Sequence, residues 1–241
     1  MQKSFIHPQI GLIQISSKAN ARGIRCRVSS DMVRFVVRPS LIGEIEGFTN
    51  KNIQWILDKK QDLQKRKSTS KSYLPDIEID TLRFKIKFQE EQKLKNQFSA
   101  RLEDGVLLIK YPPAMNFTNT DIQLVIRNIV RQFLIAEAKK FLPQRVKTIA
   151  QKYNFEFSEV KITSAKTRWG SCNSKKNINL SCFLMFMPQH IVDYVITHEL
   201  CHTKQMNHGT KFYTEIKNIY SDYKTYDTEL KNISKNIRGL Y

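Results

Sequence analysis

The segment His198-Glu199-Leu200-Cys201-His202 holds two imidazoles four residues apart. On a helix that spacing sets both on one face, one turn apart, where they can converge on a single cation. Glu199 is offset by one position, so its carboxylate can reach past a bound metal to a water molecule rather than ligate the metal itself. H-E-x-x-H is the arrangement of zinc metalloproteases: the metal lowers the pKa of its water to about 7, and the glutamate accepts the proton. The preceding Ile191, Val192, Tyr194, Val195 and Ile196 are apolar enough for a buried helix. Two histidines and a glutamate left unpaired there would cost several kcal/mol, and a metal removes that cost.

A catalytic zinc takes three protein ligands and keeps one position open. His208 is the natural third, because Asn207-His208-Gly209 is a turn-like tripeptide that can end the helix and swing the ring back. Gln205 stands in the middle of the gap where metzincins have glycine, which argues against that group. Glu215, Asp222 and Glu229 are rivals for the third position. His190 lies eight residues before His198, which at about 100° per residue leaves it off the ligand face. Arg168 and Trp169, in the run RWGSC, are candidate substrate-binding residues on a strand edge beside the metal. The alternative is that Trp169 fills the core and Gly170 permits a bulge. Arg168 and Tyr213 are candidates for steadying an oxyanion. Cys172 is either an extra ligand or, like Cys182 and Cys201, a plain buried thiol.

Four stretches, RWGSC, INLSCFL, YVITHELCH and NHGTKFY, with their spacing, resemble the YgjP-like metallopeptidase family of zincin-like hydrolases. Upstream, RGIRCRV and NKNIQWILDKK resemble the family's N-terminal strands and helix. A weaker similarity runs to SprT-like zinc proteases. The resemblance implies an α+β, zincin-like fold, one zinc per chain on His198, His202 and His208, and Glu199 as general base. It implies a peptide or protein substrate. The chain departs from the family pattern at Cys201, Thr203 and Gly209, and in a longer segment around 71–98.

The 241 residues are 41% hydrophobic, which excludes wholesale disorder, and Gly and Pro are sparse. Lys and Arg number 40 against 22 acids, a net charge of +18 that favours acidic partners such as nucleotides or other polyanions. Residues 131–176 carry a net +8, whereas 188–241 carry only +1. Two rival functions follow: a metal-dependent phosphohydrolase of nucleotides or phosphate esters, and a nucleic-acid-associated module with a structural zinc. The longest apolar run, Cys182 to Met187, is too short to span a bilayer. No signal peptide is read, and the four cysteines form no C-x-x-C pair, so a cytoplasmic chain with reduced thiols is expected.

The elements that must position the site follow from periodicity. Residues 24–28 and 32–37 alternate as strands, and a helix follows over about 45–65, running into a loop by 72. Residues 82–88 alternate strictly, and Glu103-Asp104-Gly105 reads as a hairpin turn. The terminus around His7 reads as flexible. A β-rich N-terminal region is therefore expected over 1–113, with a zincin-like catalytic domain over 114–241. In that domain an amphipathic segment runs from Asn119 or Asp121 to Tyr153, with a kink or two helices expected at Pro143. Strands are expected over 160–165 and 177–187, then a helix opened by Pro188 and two more over 210–221 and 225–236. No internal repeat is evident.

Overall fold

The structure is a computed structural model and describes residues 2–29, 32–68, 72–95 and 97–241. The chain divides into two compact units, Met1–Ser70 and Lys71–Tyr241. Residues 69–71 of the loop expected by 72 lie outside the described residues.

The first unit opens on a hairpin of β1 (Gln2–His7) and β2 (Gly11–Ser17), where the sequence reads as a flexible terminus. Gly11, at φ 72°, takes the left-handed turn position that glycine occupies without strain. The expected strands β3 (Arg25–Val28) and β4 (Met32–Val37) pair antiparallel. The sheet order is β1-β2-β4-β3, with β2 and β4 parallel. After a 3-10 turn over Pro39–Glu44 come α1 (Ile45–Lys51) and α2 (Ile53–Ser68) rather than one helix. Asn52 makes the break: its backbone and side-chain N–H groups both donate to the Phe48 carbonyl. Ile45 and Ile56 share a small core with Ile13, Ile15, Val33, Phe35 and Val37.

The second unit begins with β5 (Ile79–Asp80), β6 (Lys85–Glu90), β7 (Ser99–Glu103) and β8 (Val106–Tyr111). The hairpin turns at Asp104 and Gly105, both at positive φ as a tight primed turn requires. Next is α3 (Thr120–Tyr153), whose Asn119 cap accepts from the Asp121 N–H at 2.7 Å. The helix runs on through Pro143 as one element rather than two. The carbonyl that Pro143 orphans belongs to exposed Lys139, while a ridge of Ile126, Val130, Leu134, Ala138, Leu142 and Val146 stays buried across it.

Strands β9 (Glu159–Thr163), β10 (Gly170–Cys172) and β11 (Asn177–Ser181) form a second sheet of this unit, ordered β10-β11-β9. The strand expected to reach Met187 stops at Ser181, whose hydroxyl accepts from the Phe183 N–H and starts a buried 3-10 turn over Cys182–Phe186. Helices α4 (Gln189–Cys201), α5 (Thr210–Ile219) and α6 (Tyr223–Ile237) complete an α+β fold. No helix among the described residues is long and apolar enough to cross a membrane.

The boundary between units corrects the expected one at 113. Phe84, Ile86, Leu107 and Ile109 are buried in the same core as Ile126, Leu134 and Ile191. The Leu82 N–H also donates to the Met185 carbonyl at 2.6 Å. The second β-rich stretch is therefore part of the larger unit.

The structure also shows a repeat that the sequence hides. The second unit's four-stranded sheet has the order β5-β6-β8-β7, matching β1-β2-β4-β3 of the first in order and in the sense of every pairing. The registers match as well. Val28 opposes Val33 as Leu102 opposes Leu107, and Cys26 opposes Phe35 as Ala100 opposes Ile109. Ile13 pairs with Val33 as Ile86 pairs with Leu107, and all four are fully buried. Each sheet is followed by helix, and F-T-N-x-x-I-Q recurs at 48–54 and 117–123. Within the sheets, side-chain identity has drifted so far that pairing and burial, rather than sequence, reveal the two copies.

Candidate metal centre

Helix α4 is tied by its first half to two neighbouring helices. Arg145 of α3 forks onto Asp193, with Nε and Nη2 each donating to a carboxylate oxygen at 2.6 Å. Near its start, His190 meets Glu229 of α6 at 2.8 Å, and Tyr194 donates to Asp227 at 2.7 Å. The helix ends at Cys201, and a tight turn through 202–205 leads His208 back to it.

His198, His202 and His208 each offer a ring nitrogen, and the three nitrogens lie within 4.8 Å of one another. The Nε2 atoms of His198 and His208 are 3.1 Å apart. Nδ1 of His202 is 3.1 Å from the Gln205 carbonyl. Donation to that oxygen fixes the tautomer and leaves Nε2 for a cation. Phe212 packs against all three rings, at 5.0, 4.5 and 4.6 Å between centroids. Burial, then the neighbouring imidazoles His202 and His208, pushes the His198 pKa down to about 4. Burial also lowers that of His202. Neutral imidazoles are the ligating form, so this donor set suits a borderline-soft divalent ion such as zinc.

Glu199 is buried beside this cluster, 7% exposed. Burial raises its pKa to about 7, opposed by the charge of Arg168. Its carboxylate lies against β10: a Cβ built on Gly170 would stand 2.5 Å from the Glu199 Cγ and 2.6 Å from Oε1.

The rivals for the third ligand are engaged elsewhere. Glu215 is 3.6 Å from Lys204, Glu229 holds His190, and Asp222 accepts from the Thr225 hydroxyl at 2.5 Å. Arg168 is exposed and, with Gly170 and Ser171, lines a recess of about 250 Å³. Trp169 lines the same recess, its Nε1–H donates to Ser234 at 3.0 Å and its ring meets Tyr241 edge-on. Tyr213 is exposed, 6.3 Å from the His208 ring and stacked on Tyr223. Cys172 is outside the histidine cluster, and burial raises its pKa. Sequence reasoning did not find Phe212, the Gln205 carbonyl or the Arg145–Asp193 fork. The first shows only as an aromatic after His208, and the other two need tertiary proximity.

The family model described as YgjP-like, metallopeptidase domain, matches residues 22–233. The chain belongs to the YgjP-like metallopeptidase family. It is a metallohydrolase with the zincin-like α+β fold of that family, and the family implies a metal and peptide or protein substrates. An uncharacterised protein of Methanocaldococcus jannaschii is 32% identical over 106 residues, covering 42% of this chain and 96% of that protein. Among solved structures, the metallopeptidase zymogen jannalysin of M. jannaschii is 30% identical. That match covers 39% of this chain and 94% of jannalysin, with a TM-score of 0.34. The metallopeptidase zymogen abylysin of Pyrococcus abyssi is 17% identical, with coverage of 40% and 99% and a TM-score of 0.36.

Proposed function

We propose that this YgjP-like protein is a zinc-dependent peptidase in which His198, His202 and His208 hold the metal and Glu199 is the general base. The observation that carries the reading is the convergence of three imidazoles within 4.8 Å, beside a buried carboxylate. Zinc bound there supplies Lewis-acid chemistry, polarising a scissile carbonyl and acidifying water. Glu199, with its proton affinity raised to about 7, takes the proton from that water and returns it to the leaving amine. Gly170 leaves room for the carboxylate, and Arg168 counters its burial. Strand β10 is an edge strand, so its outer backbone groups can pair with an extended peptide beside Glu199. Arg168 and Tyr213, both exposed, are the side chains proposed to meet substrate.

The test is elemental mass spectrometry on protein purified without a metal-affinity tag. About one zinc per chain is expected in the wild type, and its loss in His202→Ala. Digestion of a peptide library follows, with Glu199→Gln as the inactive partner and nucleoside triphosphates as the competing substrate class. A wild-type protein that takes up no zinc would overturn the reading. So would triphosphate turnover, lost on Glu199→Gln, without peptide cleavage.

A further inference from the structure

The two sheets of the repeat permit a comparison within one chain. On the outer face of the second sheet, each cation has a carboxylate partner in the sheet or its flanks. Lys85 meets Asp80 at 3.5 Å, Lys87 meets Glu78 at 2.5 Å, Arg101 meets Glu103 at 2.9 Å and Lys110 meets Glu91 at 3.2 Å. Four cations in the basic segment 131–176 are likewise paired: Lys140, Arg145, Lys161 and Lys176.

The outer face of the first sheet is different. Arg25 and Arg27 of β3 and Arg34 of β4 project from it, while Cys26, Val28, Val33 and Phe35 turn inward. The loop and strand end beside it add Lys18, Arg22 and Arg38, and all six cations are exposed. Among the described residues none of the six has a carboxylate partner. The described acids of this unit, Glu44, Glu46, Asp58 and Asp62, all lie in the helical segment after β4.

Arg27 and Arg34 are direct cross-strand partners. Like charges so placed are destabilising, and a bound anion would relieve the repulsion. The positions equivalent to Arg25 and Arg34 in the other copy are Ser99 and Leu108. The fold therefore does not require arginine at either.

The choice of cation is specific. The chain has 27 lysines and 13 arginines, yet five of these six residues are arginine. Arginine offers a planar fork that binds phosphate oxygens in pairs. Arg25 and Arg27 stand about 6.6 Å apart along the strand, a separation on the order of that between successive phosphates in a nucleic-acid strand. Beside them lies a recess of about 670 Å³ lined by Lys18, Asn20, Arg22, Arg25 and Val36. Donation by the Arg38 Nε–H to the Ala21 carbonyl at 2.7 Å holds its rim. A flat bilayer cannot enter such a recess, but a chain of phosphates can.

We propose that the outer face of β2, β3 and β4, with the adjoining loop at 18–25, binds the phosphate backbone of a nucleic acid. Gln14, which accepts from the Arg34 Nε–H at 2.8 Å, fixes one guanidinium of the row. The face carries no aromatic side chain for base stacking, so binding is dominated by the backbone and is strongly salt-dependent.

The experiment uses the full chain, fluorescent single-stranded and duplex oligonucleotides, and anisotropy between about 50 and 200 mM salt. Arg27→Gln/Arg34→Gln and Arg22→Gln/Arg25→Gln should each weaken binding and reduce the slope of log K against log salt by about 2. Arg101→Gln, at the position equivalent to Arg27, should leave both unchanged, and Glu199→Gln should bind as the wild type does. Thermal melting of each variant checks folding. Single-strand against duplex affinity identifies the form of nucleic acid. Three results would overturn the proposal: no salt-dependent binding by the wild type, equal loss in Arg101→Gln and the paired variants, or polyglutamate or anionic vesicles binding as tightly at matched charge. Because Glu199→Gln is in the set, failure here stays separate from failure of the peptidase reading.

Discussion

A methyl group on Gly170 would stand 2.6 Å from the Glu199 Oε1, and Glu199 is hemmed in on a buried helix face. Gly170→Ala should therefore push the carboxylate aside while leaving the three imidazoles in place. The expected result is retained zinc with a fall in kcat of roughly 100-fold, the usual scale for a misplacement of about 1 Å. Loss of zinc along with activity would show instead that β10 supports the whole cluster. Phe212→Ala should do the opposite. It removes the ring on which His202 stacks at 4.5 Å, so zinc affinity should fall by 10-fold or more, the range seen when groups supporting ligands are lost. Competition with a chromophoric chelator reads this directly. His198, Glu199 and His202 are legible because helical spacing alone puts them together. His208 is legible because Asn207 and Gly209 mark a turn. Gly170 is not, since nothing within RWGSC says that its neighbour in space is Glu199.

Arg145 and Asp193 tie α3 to α4 with two short charge-assisted hydrogen bonds, and both side chains are largely covered. Arg145→Ala should destabilise the second unit by about 1–2 kcal/mol, a value between exposed and fully buried pairs. Chemical denaturation followed by tryptophan fluorescence measures it. Leu134→Ala, in the buried ridge of α3, should cost more, about 2–5 kcal/mol, through the cavity it leaves. The helices of this unit are legible from apolar period and caps, and α3 is even longer than its proline suggests, because tertiary burial outweighs one missing hydrogen bond. The 3-10 turn at 182–186 is not legible: an apolar run of that length reads equally well as a strand. The β1–β2 hairpin escapes for a related reason. Phe5 and Ile6 are exposed, so β1 lacks a clear inward-outward pattern.

At the scale of the molecule, Ile13, Val33, Phe35 and Ile56 form one core and the residues around α3 and α4 form another. Two separate cores predict two unfolding transitions in calorimetry. A chelator should lower only the one belonging to the second unit, because a bound ligand stabilises the folded form that holds it. A single transition that moves as a whole would show the units to be coupled. The matching sheets also bear on how the chain is made. The β3 and β7 strands set small residues, Cys26 and Ala100, opposite large ones, Phe35 and Ile109, so either could pair with the other's partner almost as well. Pairing preference alone therefore does not keep the copies apart. Synthesis does: the first sheet is complete by Val37, before β5 begins at Ile79. On the ribosome each strand thus meets its own partner first. A denatured full-length chain has no such order, and is expected to refold with lower yield than its newly made counterpart.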